Sequence, residues 1–296
     1  MTGMDRRRLL AATLASSSLA AAALPLAPAA ARDPARIRVA LLPDENAATI
    51  IQNAQPLRAH LAARLERQVE IVVTTDYSSM IEAMRFGRIE VAYFGPFSYV
   101  LAKSRAPGIE PFAVGVERGS PFYNSVIIAA KDGPVKALAD IRGTPFAFGD
   151  QASTSSHLVP RALLLREAGL EAPRDYRPVH VGTHDAVART VQSGQAPAGA
   201  LSKPILDTLY ARGVVEAARL VEVTLSPPIP NYPMVMQGDL APALKERVRA
   251  TFLDLREPEI LRAFRVQGFA ATNDAAYDVL RDTARVLNLD LGQMRG

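Results

Sequence analysis

Short apolar runs alternate with segments of helical period along most of the chain, an alternation that predicts an α/β protein. Ile37–Leu42 is a β-rich run ended by Pro43-Asp44-Glu45-Asn46, and reads as the first strand and its loop. Residues 47–66 place Ile50, Ile51, Leu57, Leu61 and Leu65 at helical spacing. Val69–Thr74 is a second strand. Thr75-Asp76-Tyr77 then leads into a helix from Ser78 to Phe86, and Gly87 is placed to stop it in the left-handed conformation. Glu90–Phe94 is a third strand, closed by Gly95-Pro96 and followed by a helix over 97–104. This order predicts a parallel sheet whose strand-end loops line a ligand crevice.

The second half repeats the plan without repeating the sequence. Tyr123–Ala130 and Phe146–Phe148 read as strands, and a helix over about 157–168 ends at Gly169. After the strand Tyr176–Val181, Gly182-Thr183-His184-Asp185 opens a helix that ends near Gly194. Ala198–Leu201 is a short buried strand, and Arg219–Thr224 leads into Ser226-Pro227-Pro228-Ile229-Pro230. Residues 239–296 read as mostly helical. Three strand-end loops, 75–79, 150–156 and 182–185, gather polar side chains on the same edge of two α/β lobes, and a cleft between lobes is where they meet.

The loop within 146–157, FAFGDQASTSSH, carries the most chemistry. Ser153, Thr154, Ser155 and Ser156 precede a helix, whose first N–H groups lack partners and whose dipole is positive there. Capping needs one hydroxyl; a row of four, added to those amides, predicts an oxyanion site.

Composition narrows the setting. Asp5-Arg6-Arg7-Arg8-Leu9-Leu10, the Ala-rich run to Leu26 and Ala29-Ala30-Ala31 read as an export signal over residues 1–31, of twin-arginine type, or a Sec signal with an arginine-rich start. Cysteine is absent, which excludes disulfides, thiolate sites and a lipid-anchored N-terminal Cys. The expected location is the periplasm, without a lipid anchor. The remaining length suits two domains of about 100–150 residues. The formal charge of +4 falls by half once the leader is set aside, and no basic stripe with aromatics supports nucleic-acid binding.

Enzymatic readings fare poorly. Asp150, Ser155, His157, His184 and Asp185 include the residue types of a nucleophile–base set, yet no Gly-x-Ser-x-Gly elbow occurs. The four histidines, His60, His157, His180 and His184, lack metal-ligand spacing. No catalytic residue, metal or cofactor is expected.

Taken together, Asp76-Tyr77, Val91-Ala-Tyr-Phe-Gly-Pro96, Tyr123-Asn-Ser125, Asp140-Ile-Arg-Gly143, Phe146–Asp150, Ser153-Thr-Ser155, Leu158-Val-Pro160, Gly182–Asp185 and Ser226–Pro230 resemble, in order, the phosphate/phosphite/phosphonate substrate-binding proteins of ABC importers. The resemblance implies the type II periplasmic binding fold: two lobes, each a mostly parallel sheet flanked by helices, joined by two crossing strands. Lobe 1 would comprise 32–121 plus 224–296, and lobe 2 residues 122–223. It implies a monomer that closes by hinge motion on a small phosphorus oxyanion and docks on an inner-membrane ABC permease; a periplasmic sensor signalling to a membrane receptor is the alternative. Carried over by residue, the ligand contacts are Ser153, Thr154, Ser155, His184, Tyr77 and Tyr123. Ser156 stands where the family has Gly and adds a candidate donor. Where aminoalkylphosphonate binders place acids, this chain offers Ser202, Lys203, Asn231 and Tyr232, which makes Lys203 and Asn231 candidates for the ligand's substituent and predicts a ligand without an amine.

Overall fold

A computed structural model describes residues 31–294; the predicted leader, apart from Ala31, lies outside the described residues. The first stretch runs β1 (Arg36–Leu41), α1 (Ala47–Asn53), α2 (Gln55–Leu65), β2 (Gln68–Val73), α3 (Tyr77–Arg85), β3 (Val91–Tyr93), α4 (Pro96–Arg105) and β4 (Ile109–Val116). The middle runs β5 (Phe122–Tyr123), β6 (Ser125–Ala130), β7 (Pro145–Phe148), α5 (Val159–Ala168), β8 (Arg177–His180), α6 (His184–Gln192), β9 (Ala198–Ser202), α7 (Lys203–Ala211) and β10 (Leu220–Leu225). The last part runs β11 (Ile229–Pro230), β12 (Pro233–Gln237), α8 (Pro242–Leu253), α9 (Pro258–Leu261), β13 (Gly268–Ala271) and α10 (Asp278–Val286).

Proline and glycine set many of the boundaries. The helix expected over 47–66 is two, because Pro56 has no N–H to continue the ladder and instead sits in the first turn of α2. Pro also stands at the start of α4, α5, α7, α8 and α9. Gly169, at φ 62°, caps α5 by donating its N–H to the carbonyl of Leu165.

Two sheets result. The first has the order β13-β4-β12-β3-β1-β2 and the second β10-β6-β9-β7-β8. Each is parallel on one side, through β1, β2 and β3 or β7, β8 and β9, and antiparallel on the other. The mostly parallel sheets expected from the sequence are therefore mixed. In the first sheet the reason is β12, which returns from the second half of the chain and runs antiparallel between β3 and β4. Strand alternation divides the second sheet's cores: Val126 and Ile128 of β6 pack on one face with Val187 and Leu201, and Ile127 and Ala129 on the other with Phe146 and Phe148. The chain passes between the sheets twice, after β4 and after β10, and the passing segments pair antiparallel as β5 and β11, with Tyr123 opposite Ile229. Among the described residues no helix is long and apolar enough to cross a membrane.

Candidate functional site

Parallel strands leave their C-terminal ends, and the helix starts that follow, on one edge of each sheet. The hydroxyl row lies there, between β7 and α5. Its turn is wide: the N–H of Leu158 reaches back five residues to the carbonyl of Ser153 at 3.0 Å. Such π-type turns collect at functional sites because they splay side chains that a regular helix would stack. All four hydroxyl residues are buried, yet they point to different work.

The Ser153 hydroxyl accepts the N–H of Ser156 at 3.2 Å, an ordinary cap. The Thr154 hydroxyl accepts the N–H of Phe97, in the first turn of α4, at 2.8 Å, joining the loop to the first sheet's side of the molecule. The Ser156 hydroxyl donates to the carbonyl of Ala200 at 2.5 Å and accepts the N–H of Gly149 at 2.8 Å. A Cβ on Gly149 would come within 2.6 Å of that hydroxyl, so the glycine is required for the contact. Ser156 therefore ties β7 to β9, which corrects its assignment as a ligand donor: its proton is committed inside the lobe. Ser155 differs. Its carbonyl accepts the Ser125 hydroxyl at 2.5 Å, while its own hydroxyl is buried without a partner.

His184 opens α6 and is 1% exposed. Its Nδ1 accepts the N–H of Ser202 at 3.2 Å, which fixes the tautomer with the proton on Nε2. That Nε2–H is buried and unpartnered. Burial, with the Arg265 charge nearby, pulls the His184 pKa down to about 3, so the ring is a neutral donor. The Tyr123 hydroxyl is a further buried group without a partner, facing Ser155 and Thr154 but bonded to neither. Burial pushes the Tyr123 and Tyr77 phenols up, and both keep their protons. Tyr77 begins α3 behind its Asp76 cap, and its N–H points at Asp150 Oδ2, 3.4 Å away. The Tyr77 hydroxyl lies by Ser153.

The substituent side of the pocket departs from the expectation. Tyr93, Tyr123, Tyr232, Phe264, Asn231, Ser202 and Pro204, with Arg265 and Glu117, line a cavity of about 10 Å³. This is roughly the room one water needs. Asn231 is on this wall as expected, its Oδ1 accepting the N–H of Tyr232 at 2.8 Å. Lys203 is not: its ammonium is held by Asp207, one turn along α7, and by Glu222 of β10 at 3.2 Å. Sequence reasoning also missed three carboxylates. Glu117 lines the cavity, and Asp44 and Glu45, buried in the loop after β1, meet Arg265 beside it. The strand-end position of Asp44-Glu45 was a usable signal. Nothing local in the sequence ties Arg265 to residues some 220 positions away.

Comparison with known proteins follows the same lines. The sequence profile of the family described as "ABC transporter, phosphonate, periplasmic substrate-binding protein" matches residues 39–277. The "Phosphate-import protein PhnD" of Mycolicibacterium smegmatis is 28% identical over 80% of this chain and 76% of its own length. The "Phosphonates-binding periplasmic protein" of Escherichia coli is 27% identical over 92% of this chain and 83% of its own. Among solved structures, that of PhnD1 from Prochlorococcus marinus in complex with methylphosphonate superposes with a TM-score of 0.80 at 23% identity, covering 86% of this chain and 99% of that one.

Proposed function

The chain belongs to the phosphonate family of periplasmic substrate-binding proteins of ABC transporters, and from that premise we propose that it captures a small phosphorus oxyanion between two lobes that close about a hinge. The ligand is a phosphite, phosphonate or phosphate, a range spanned by what the relatives are named for. The lobes are 32–121 with 224–296, and 122–223, and the crossing segments that pair as β5 and β11 form the hinge. The closed protein presents its cargo to an inner-membrane permease.

One observation carries the reading. Tyr123 Oη, Ser155 Oγ and His184 Nε2–H, on three separate elements, are buried donors with no protein partner. Each such group costs about 1–3 kcal/mol if nothing answers it. A tetrahedral oxyanion answers all three at once. Because the donors are neutral, they replace water around the anion without a competing counter-ion. Tyr77 adds a further hydroxyl beside the row, while Thr154 and Ser153 hold the turn in shape.

Titration calorimetry of the protein with methylphosphonate, phosphite and phosphate tests this directly. At least one should bind with a dissociation constant of about 10⁻⁶ M or tighter, and Ser155→Ala should weaken it about tenfold while leaving the fold intact. Absence of binding for all three, by calorimetry and by thermal shift, would overturn the assignment.

A further inference from the structure

Arg265 is not among the unpartnered donors of the oxyanion site, yet it is held on the cavity wall by two buried carboxylates. Its backbone lies in the left-handed region at φ 58°, where glycine is at ease and arginine is strained. The guanidinium donates through Nη2 to Asp44 Oδ2 at 2.5 Å and through Nη1 to Glu45 Oε1 at 2.9 Å. The side chains of Asp44 and Glu45 are 3% and 6% exposed and that of Arg265 is 18% exposed. Arg212, just after α7, reaches the other oxygen of Glu45 at 3.1 Å. The same guanidinium lines the small cavity beside Tyr123, and the carbonyl of Asp44 accepts the N–H of His184 at 2.9 Å. Asp44 thus stands next to the oxyanion donors with Glu45 beside it, and the cation that answers both is the one on the cavity wall.

That juxtaposition is what an aminoalkylphosphonate would need, less the vacancy for its ammonium. We infer that Arg265 takes the place of a ligand ammonium: it satisfies Asp44 and Glu45 from within the chain, so the pocket accepts phosphorus oxyanions bearing a small uncharged substituent and rejects aminated ones. The inference rests on the oxyanion-binding reading above and names its substrate class. Tyr93, Tyr232 and Phe264 offer ring surface to such a substituent, with Tyr93 and Tyr232 centred 5.3 Å apart. An incoming ammonium would instead meet a guanidinium, because the carboxylate on the cavity wall, Glu117, already has Arg118 Nε 3.9 Å away and Arg265 beside it, and like charges in a closed site are costly.

Calorimetry of methylphosphonate, n-propylphosphonate and 2-aminoethylphosphonate provides the test, the last two being nearly isosteric. The unaltered protein should bind methylphosphonate about 100-fold more tightly than 2-aminoethylphosphonate. Arg265→Gly suits the left-handed backbone and frees Asp44 and one oxygen of Glu45, the other staying with Arg212, so it should strengthen 2-aminoethylphosphonate binding at least about tenfold, with no matching gain for n-propylphosphonate. Adding Asp44→Asn should cancel that gain. Equal affinity of the unaltered protein for methylphosphonate and 2-aminoethylphosphonate would overturn the inference while leaving oxyanion binding standing, as would a folded Arg265→Gly protein with no new preference. Should Arg265→Gly not fold, the isosteric pair on the unaltered protein decides alone: n-propylphosphonate should bind more tightly than 2-aminoethylphosphonate, and the reverse order would overturn the inference. Binding of no phosphorus ligand at all removes the reading and the inference together.

Discussion

A hydroxyl that donates to nothing in a protein interior weighs against folding, and this sets Tyr123 apart from Ser156. The first is unpartnered, whereas the second serves Ala200 and Gly149 at once. Tyr123→Phe should leave stability unchanged or raise it by up to about 1 kcal/mol, and weaken oxyanion binding about tenfold or more. Ser156→Ala should do the reverse, costing about 1 kcal/mol of stability because the Ala200 carbonyl loses the hydroxyl, while the Gly149 N–H keeps the residue-156 carbonyl at 3.1 Å. Urea unfolding and calorimetry on the two variants separate these outcomes. The contrast also shows what the sequence could tell at this scale. Four adjacent hydroxyls at a helix start spell oxyanion chemistry, but a wide turn sends neighbours in different directions, and their individual partners come from β9, α4 and the loop before α5. Lys203 is a different failure. With Asp207 one turn on, the pair has the i,i+4 spacing of a helix-surface ion pair, which takes up the ammonium along α7.

Helix starts do much of the positioning here, and α4 shows how one can be finished from elsewhere. Its N-cap is Gly95, which has no side chain to offer, and Pro96 follows. The N–H of Phe97 is left over, and Thr154, carried by the other sheet, accepts it. Thr154→Val keeps the shape and removes the acceptor, so it should cost about 1 kcal/mol of the closed arrangement alone. Affinity should fall about fivefold, with small-angle scattering showing a larger open fraction in the unliganded protein. Proline and glycine made the helix boundaries legible in the sequence. The strands of the returning segment were not: β12 begins at Pro233 inside a proline-rich run, and the four-residue edge strand β13 contains Gly268. Neither has the length or alternation that marks a strand, and pairing with β4 supplies what local pattern lacks.

Across the whole molecule, buried imidazoles link stability to pH. Burial pulls His157 and His184 down to about 3, while the unfolded chain titrates near its ordinary value. Below about pH 6.5 the unfolded state therefore binds protons that the folded state refuses, and stability is lost as pH falls toward 3. Asp44 works the other way: burial lifts it to about 6, so its contribution is present below about 3.9 and is lost as pH rises through 6. A variant isolates one group from the rest. His157 lies outside the proposed ligand contacts, with Nδ1–H donating to the carbonyl of Gln151 at 2.6 Å. Between pH 7 and pH 4 the unaltered protein should lose about 3 kcal/mol more unfolding free energy than His157→Leu, measured by urea titration at each pH. No slope difference would mean that the ring is charged in the fold.

Tyr123 belongs both to the pocket and to β5, one of the two segments that cross between the sheets. In a rigid rotation, displacement grows with distance from the axis, so a side chain mounted on the pivot scarcely travels. Under the closure proposed here, Tyr123 is a fixed post, while Ser155 and His184 ride on the moving jaw. Capture is then ordered in time: an arriving anion is registered first against the post and locked only when the jaw swings in. Entry is governed by a group that stays still, and retention by groups that must move away.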